Sequence, residues 1–293
     1  MKIYDCFLFN DELDLLRLRL EFLKDTVNHF VLVESERTLS GEKKPLHFKN
    51  NQDQFKEYSD RIIHLVAPEN DLSPWEYEFF QRNYIKEALQ KCNADDMIMI
   101  SDVDEIANIK AVMQSPGFQL PALIELPVHY YYFNLRSAFT FKVNLVASWD
   151  FIKEKDLGHR NELFPEYTDN VIHCKDVNTG WHFSYLFGTD IEKYQNKIRS
   201  FAHSEYNNTY YLNSKRIKQC ITLGIDLFER RFMKFKRNDA SISAIKPLLQ
   251  QFFPGTYFYN SRPFVKLSPA YWPFLFRVFF LNRLKDFFLK NRK

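Results

Sequence analysis

Between Ile3 and Asp102 the chain alternates two patterns that cannot share one element. Short apolar runs, "IYDCFLF" (3–9), "HFVLVES" (29–35), "RIIHLVA" (61–67) and "DMIMISD" (96–102), have the length and character of buried strands. Helical spacing fills the gaps. "DELDLLRLRLEFLKD" puts Leu13, Leu16, Leu20 and Leu23 on one stripe. "SPWEYEFFQRNYIKEALQK" opens with Ser73 as N-cap, Pro74 at the first helical position and Glu76 completing a capping box, and predicts a helix to about Lys91. Strands alternating with helices predict an α/β fold: a Rossmann-like, mostly parallel central sheet flanked by helices.

Such sheets bind ligands beyond the carboxyl ends of their strands. The fourth run ends there in "SDVDEI", with Asp102, Asp104 and Glu105 crowded together. Like charges this close repel unless a cation sits among them. Residues two apart in extended chain share a face, so Asp102 and Asp104 point together. A hard divalent ion, Mg²⁺ or Mn²⁺, takes such oxygens and keeps substrate phosphates in its remaining positions. Bridging a diphosphate, it neutralises charge on a departing nucleotide. Two other readings fit an Asp-x-Asp after a strand. One is a solvated acidic turn. The other is a phosphohydrolase with an Asp nucleophile, although phosphatases of the haloacid dehalogenase type carry that motif near the N-terminus.

After residue 120 the pattern changes. "ALIELPVHYYYFNLR", "FKVNLVAS" and "GWHFSYLF" (180–187) read as strands, "IEKYQNKIRSFAHSEY" and "SKRIKQCITLG" as helices. The expected organisation is one domain over 1–265, with a nucleotide-sugar-binding half (1–115) and an acceptor half (116–265), then a basic, aromatic C-terminal helix over 266–293. With 45% hydrophobic residues in 293, the chain can fill one large core. A balance of 40 basic against 37 acidic residues speaks against a nucleic-acid partner. The cysteines, Cys6, Cys92, Cys174 and Cys220, are scattered without a CxxC pair, which suits a reducing compartment. The N-terminus lacks the apolar h-region of a signal peptide, so the expected location is the cytoplasm. In the tail, Phe274, Val278, Leu281 and Phe288 share one helical side, with Asn282, Arg283, Asp286 and Lys290 opposite. That pattern fits peripheral contact with the cytoplasmic membrane face, or a helix docked on the body.

Three ordered blocks carry a resemblance. "FNDELDLLRLRLEFLKDTVNHFVLVESERTLSGEKKPLHF" (9–48) resembles the opening of glycosyltransferase family 17, "DVDEI" its metal motif, and "TGWHFSY" (179–185) its Gly-Trp-His segment. The family includes β-1,4-mannosyl-glycoprotein 4-β-N-acetylglucosaminyltransferases. The resemblance implies a GT-A-type fold, a UDP-GlcNAc donor, a divalent metal, inversion at the anomeric carbon, and an oligosaccharide or glycolipid acceptor. Ala107 replaces the family's usual proline, and the membrane anchor and stem of the animal members are not seen. The expectation is therefore a bacterial or viral relative, and the bisected N-glycan is not carried over as acceptor.

The resemblance implies Asp104 as a direct metal ligand, Asp102 on the ribose or on the ion through water, and His182 as a third ligand. An imidazole there suits Mn²⁺ better than Mg²⁺. Glu105 is read as holding the loop. Trp181 packs on the acceptor side or in the core. Arg82 reaches the donor, or merely pairs with Glu78 one helical turn away. Glu34 and Ser35, closing the second strand, contact uridine or cap a neighbouring element; Arg37 and Lys44 follow in the next loop. For the base that deprotonates the acceptor hydroxyl the candidate is Glu205, with Asp190 and Asp226 as rivals. An Asp-dependent phosphohydrolase, and a non-catalytic sugar-nucleotide or membrane-binding protein on the same scaffold, are the alternative functions.

Overall fold

The computed structural model describes residues 1–230, 235–260 and 269–278. Strands β1 (Ile3–Leu8), β2 (His29–Ser35), β3 (Ile62–Ala67) and β4 (Met97–Asp102) run parallel in the order β3-β2-β1-β4. They alternate with α1 (Leu13–Leu23), α2 (His47–Asn51) and α3 (Pro74–Tyr84). The Ser73–Glu76 capping box forms as the sequence requires. The helix ends earlier than expected, tightening after Tyr84 into a 3₁₀ turn over Ile85–Ala88 that drives Ile85 and Leu89 into the sheet.

The second half comprises β5 (Glu105–Ala107), α4 (Ile109–Met113), β6 (Ala122–Tyr130), β7 (Leu135–Ser148), α5 (Trp149–Ile152), α6 (Arg160–Tyr167), β8 (Val171–Ile172), β9 (Gly180–Ser184), α7 (Ile191–Ser200), α8 (Ser214–Leu223), β10 (Phe235–Arg237), α9 (Lys246–Phe252) and α10 (Trp272–Phe276). The expectation of a mostly parallel sheet is wrong for this half. β7 pairs antiparallel with both β4 and β6, and β9 with β5. The reason is local: β6 and β7 are joined by residues 131–134 alone, too few for the crossover that parallel neighbours need. The fold is thus mixed α/β, with helices flanking a mixed sheet. Of the helix expected over 266–293, only residues 269–278 lie within the described residues, with α10 over Trp272–Phe276.

The strand order β3-β2-β1-β4-β7-β6-β9-β5 dictates the shape. Only Val103 and Asp104 separate β4 from β5, yet four strand spacings lie between them along the sheet. Three Cα steps reach about 11 Å, whereas four flat spacings would span about 19 Å. The sheet must curl until β5 returns beside the end of β4. The acidic dipeptide junction is the seam where it closes, and Asp104 O accepts from Phe183 N of β9 at 2.8 Å there.

Helix α1 is buried on two sides. Leu16, Leu20 and Leu23 pack on the parallel strands with Ile3 and Phe7, while Leu15 and Leu18 meet Trp181, Phe183 and Leu249. The opposite sheet face is covered by Ile85, Leu89, Ile152 and Phe164. A third cluster joins β6 to α7 and α8 through Val128, Tyr130, Tyr194, Ile198 and Ile217.

Gly180 sets how closely β9 approaches β5. Its φ is +120°, and a Cβ there would lie 2.2 Å from Ile106 O and 2.8 Å from both Ala107 Cα and Asn108 N, all backbone atoms. Gly180→Ala is expected to destabilise the fold by about 3 kcal/mol or more, from backbone strain plus forced separation of the strands. Urea denaturation of the two proteins checks this; equal midpoints would show that the β5–β9 junction has slack.

Candidate active site

The seam is held from below by one guanidinium. Arg19, 1% exposed on α1, donates through Nε and Nη2 to the two oxygens of Asp5, at 2.7 and 2.5 Å. Its Nη1 donates to the carbonyls of Asp102 (2.7 Å), Val103 (3.2 Å) and Glu105 (2.9 Å), and Nη2 also reaches Ser101 Oγ at 2.6 Å. The turn that leaves β4 thus has its inward carbonyls satisfied by a side chain 83 positions earlier in sequence. Asp5 shares a face of β1 with Ile3 and Phe7, so the pair is buried inside the layer that α1 covers.

A second arginine holds the acidic side chains from above. Arg160, the first residue of α6, donates to Glu105 at 2.7 and 2.9 Å and to Asp102 Oδ2 at 2.6 Å. Arg82 takes the other oxygen, Asp102 Oδ1, at 2.9 Å, and also makes the one-turn pair with Glu78 at 3.0 Å, while lining the cleft described below. Burial alone would raise the Asp102 carboxyl, but Arg160 and then Arg82 outweigh it and hold it well below the usual carboxylate range. Both oxygens of Asp102 are therefore committed to guanidiniums. Glu105 also accepts from the amide of Asp102 at 2.8 Å, which makes it the brace of the loop.

Asp104 differs from its neighbours. Its carboxylate makes no hydrogen bond among the described residues, and its ion-pair partner there is His182 Nε2, 3.8 Å away. Burial pushes it up to about 6, with Glu105 and Asp102 adding to the rise against His182 and Lys197. The β5–β9 register sets this pairing, because Glu105 lies opposite His182. His182 Nδ1 is buried without a hydrogen-bond partner among the described residues. A separation of 3.8 Å is too long for a hydrogen bond and matches two ligands of one ion with bonds of about 2.1 Å. An oxygen and an imidazole nitrogen, held rigidly beside a surplus of negative charge, fit a divalent cation. The nearby Glu105 completes a triad of donor atoms within 4.8 Å of one another, but Arg160 already occupies both its oxygens.

Asp102, Asp104 and His182 share a cleft of about 320 Å³ with Arg82, Arg160, Ser35, Lys44, Lys197, Trp75 and His203. Lys197, from α7, donates to Glu12 at 2.6 Å; burial works against its charge, yet Glu12 and then Asp104 hold it firmly protonated. Lys44 donates to Asn10 O at 3.1 Å, beside the same Asn10–Glu12 segment.

Placement separates the other sequence candidates. Trp181 is fully buried in the core formed with Phe183 and Leu249, and its Nε1 donates to Ser241 O at 2.6 Å, so it offers nothing to an acceptor. Glu34 is also buried; its carboxylate accepts from the amides of Phe48 and Lys49 at the start of α2, at 3.1 and 3.0 Å, and lies 2.8 Å from His64. It caps a helix, while Ser35 alone of that pair faces the cleft. Asp190 caps α7 through Lys193 N, and Asp226 is buried in a fork with Arg230. Glu205 is exposed and accepts from His203, which does line the cleft. Arg160, Lys197 and Arg19 were not singled out by sequence. Each is far from the motif along the chain, and no local pattern marks it.

Two variants probe this layout. Arg19→Met should cost about 3–5 kcal/mol, since it strands the Asp5 charge in the core. Asp5→Asn in the same chain should recover part of that loss, and a double-mutant cycle by urea denaturation reads the coupling. Asp104→Asn acts in the other direction. A folded-state carboxyl near 6 lies above its unfolded value, so ionised Asp104 costs stability as pH rises from about 4 to 6, and the full cost holds above that. In the presence of a chelator the variant should gain on the order of 2 kcal/mol at pH 7 and nothing at pH 4. Unchanged stability at pH 7 would mean that Asp104 is already compensated.

No curated protein matches this chain. The family model described as glycosyltransferase family 17 matches residues 1–239, which include the whole cleft, and the chain therefore belongs to glycosyltransferase family 17.

Proposed function

We propose that this glycosyltransferase is a metal-dependent, inverting enzyme that moves GlcNAc, or a closely related sugar, from UDP to a hydroxyl of an oligosaccharide or glycolipid. The observation that carries the reading is Asp104: a carboxylate without a guanidinium partner, facing His182 at 3.8 Å, in a cleft where the two adjacent acids are neutralised by arginines. Asp104 and His182 would hold Mn²⁺ or Mg²⁺, with Asp102 behind them. Bound there, the ion supplies the positive charge that lets a diphosphate leave.

The chain's own residues do the rest. Arg82 and Arg160 fix Asp102 and Glu105 so that only Asp104 is left to turn toward a ligand. Lys197 and Lys44 add positive charge to the cleft lining for the anionic donor. Ser35, at the end of β2, supports a place for the nucleoside at the carboxyl ends of the parallel strands, in keeping with a GT-A-type nucleotide half. Transfer breaks the bond from the anomeric carbon to the diphosphate oxygen and makes one to the acceptor oxygen. An Asp nucleophile for phosphate hydrolysis finds less support, since both Asp102 oxygens carry guanidiniums. Trp272 and Phe276, exposed at the start of the C-terminal segment, support peripheral membrane contact as part of the same reading.

The test is release of UDP from UDP-GlcNAc with Mn²⁺ present. Wild type should turn over slowly with water as acceptor. Asp104→Asn and His182→Ala should each lose about a hundredfold or more, the scale of removing one charge-stabilising group from a transition state. Metal-independent release, or release untouched by both substitutions, would refute the assignment. Binding of the donor without release would favour a non-catalytic sugar-nucleotide protein.

A further inference from the structure

The cleft that holds the acidic seam is also lined by a histidine whose surroundings suit a reaction. Helix α7 stops at Ser200; Phe201 is extended, with φ −89° and ψ 168°, and a single 3₁₀ turn over Ser204–Tyr206 follows. This break brings His203 to the cleft and leaves Glu205 behind it. Glu205 Oε1 lies 2.8 Å from His203 Nδ1. An ionised carboxylate can only accept, so Nδ1 carries the hydrogen, and in the neutral imidazole Nε2 then keeps its lone pair. Nε2 makes no hydrogen bond among the described residues.

The imidazole is also gripped by rings. Trp75, from α3 across the cleft mouth, meets it edge-on with centroids 4.7 Å apart at 87°. Phe201 and Tyr206 stand 5.4 and 5.7 Å away. Glu205 is its ion-pair partner among the described residues, and the elements packed against it present these three aromatic side chains. An exposed His–Glu pair in a short turn contributes little to stability, with side chains 46% and 58% exposed. Held orientation, a free lone pair and a place on the cleft wall are the attributes of a base whose partner carboxylate fixes its tautomer.

We propose that His203 is the general base of the transfer, that Glu205 is its positioning residue, and that the acceptor sugar rests against Trp75. This rests on the donor reading given above. As an acceptor oxygen forms its bond to the anomeric carbon of the donor, its hydroxyl proton passes to His203 Nε2. The bond from that carbon to the diphosphate oxygen breaks, and its electron pair departs with UDP. The imidazolium then gives its proton to water. The sequence candidate Glu205 thus acts one residue removed from the proton.

The experiment uses the full chain with Mn²⁺ and UDP-GlcNAc, and compares water with azide as nucleophile. Water must lose a proton on attack, whereas azide needs no base. With water, His203→Asn should slow UDP release about a hundredfold and abolish the rise in rate with pH that a neutral imidazole produces. With azide, the same variant should approach the wild-type rate and accumulate the glycosyl azide. Glu205→Gln should fall between wild type and His203→Asn with water and match wild type with azide. UDP affinity, measured by calorimetry with Mn²⁺, should stay within about twofold in both variants. Equal losses with water and azide would reduce His203 to a structural role and overturn the proposal, as would a wild-type pH profile in His203→Asn. Wild-type protein that releases no UDP with either nucleophile would sink the donor reading and take this proposal down with it.

Discussion

Arg19 is the interaction on which the rest of the molecule depends. Its guanidinium, buried on α1, spans from Asp5 in the centre of the parallel sheet to the carbonyls of Asp102, Val103 and Glu105. Those carbonyls lie at the dipeptide junction between strands four places apart in the sheet. Unsatisfied, each would cost roughly 1–3 kcal/mol. One forked cation satisfies three of them and is itself neutralised by Asp5. The strand order curls the sheet, and this contact then holds the acidic loop at the seam where the curl closes.

From that fixed loop the charges sort themselves by their partners. Three acids leave the end of β4 within four residues, and two arginines from α3 and α6 compensate two of them. The third, Asp104, is set by the β5–β9 register against an imidazole rather than a guanidinium. The outcome is a site in which one buried carboxylate is left without a guanidinium partner among the described residues, and burial raises its pKa. Gly180 contributes at one remove, because only a residue without Cβ lets β9 come close enough to β5 for that pairing.

Much of this was legible in the sequence where the cause was local. The four parallel strands, the Ser73 cap and the acidic strand end follow from patterns a few residues long, whereas His182 came only through the resemblance of its Gly-Trp-His segment. What was not legible came from topology. Arg19, Arg160 and Lys197 meet the site only because the sheet curls, and nothing in "RLRL" or "GHRNEL" distinguishes a buried fork from a solvated charge. Trp181 shows the converse error: a residue inside a functional motif can serve the core while its neighbours serve the site, since alternate strand positions face opposite ways. The parallel sheet was over-extended for a similar reason. The βα units of the first hundred residues set an expectation that the four-residue β6–β7 connection overrules.

The central claim is that one divalent ion sits between Asp104 and His182 and meets the diphosphate of a nucleotide sugar. Crystals grown with manganese and UDP, measured at the manganese absorption edge, address it directly. An anomalous peak bonded to Asp104 and to His182 Nε2, in contact with the UDP phosphates, is the predicted result. UDP seated in the cleft with no peak there, or a peak on carboxylates elsewhere in the chain, would contradict it.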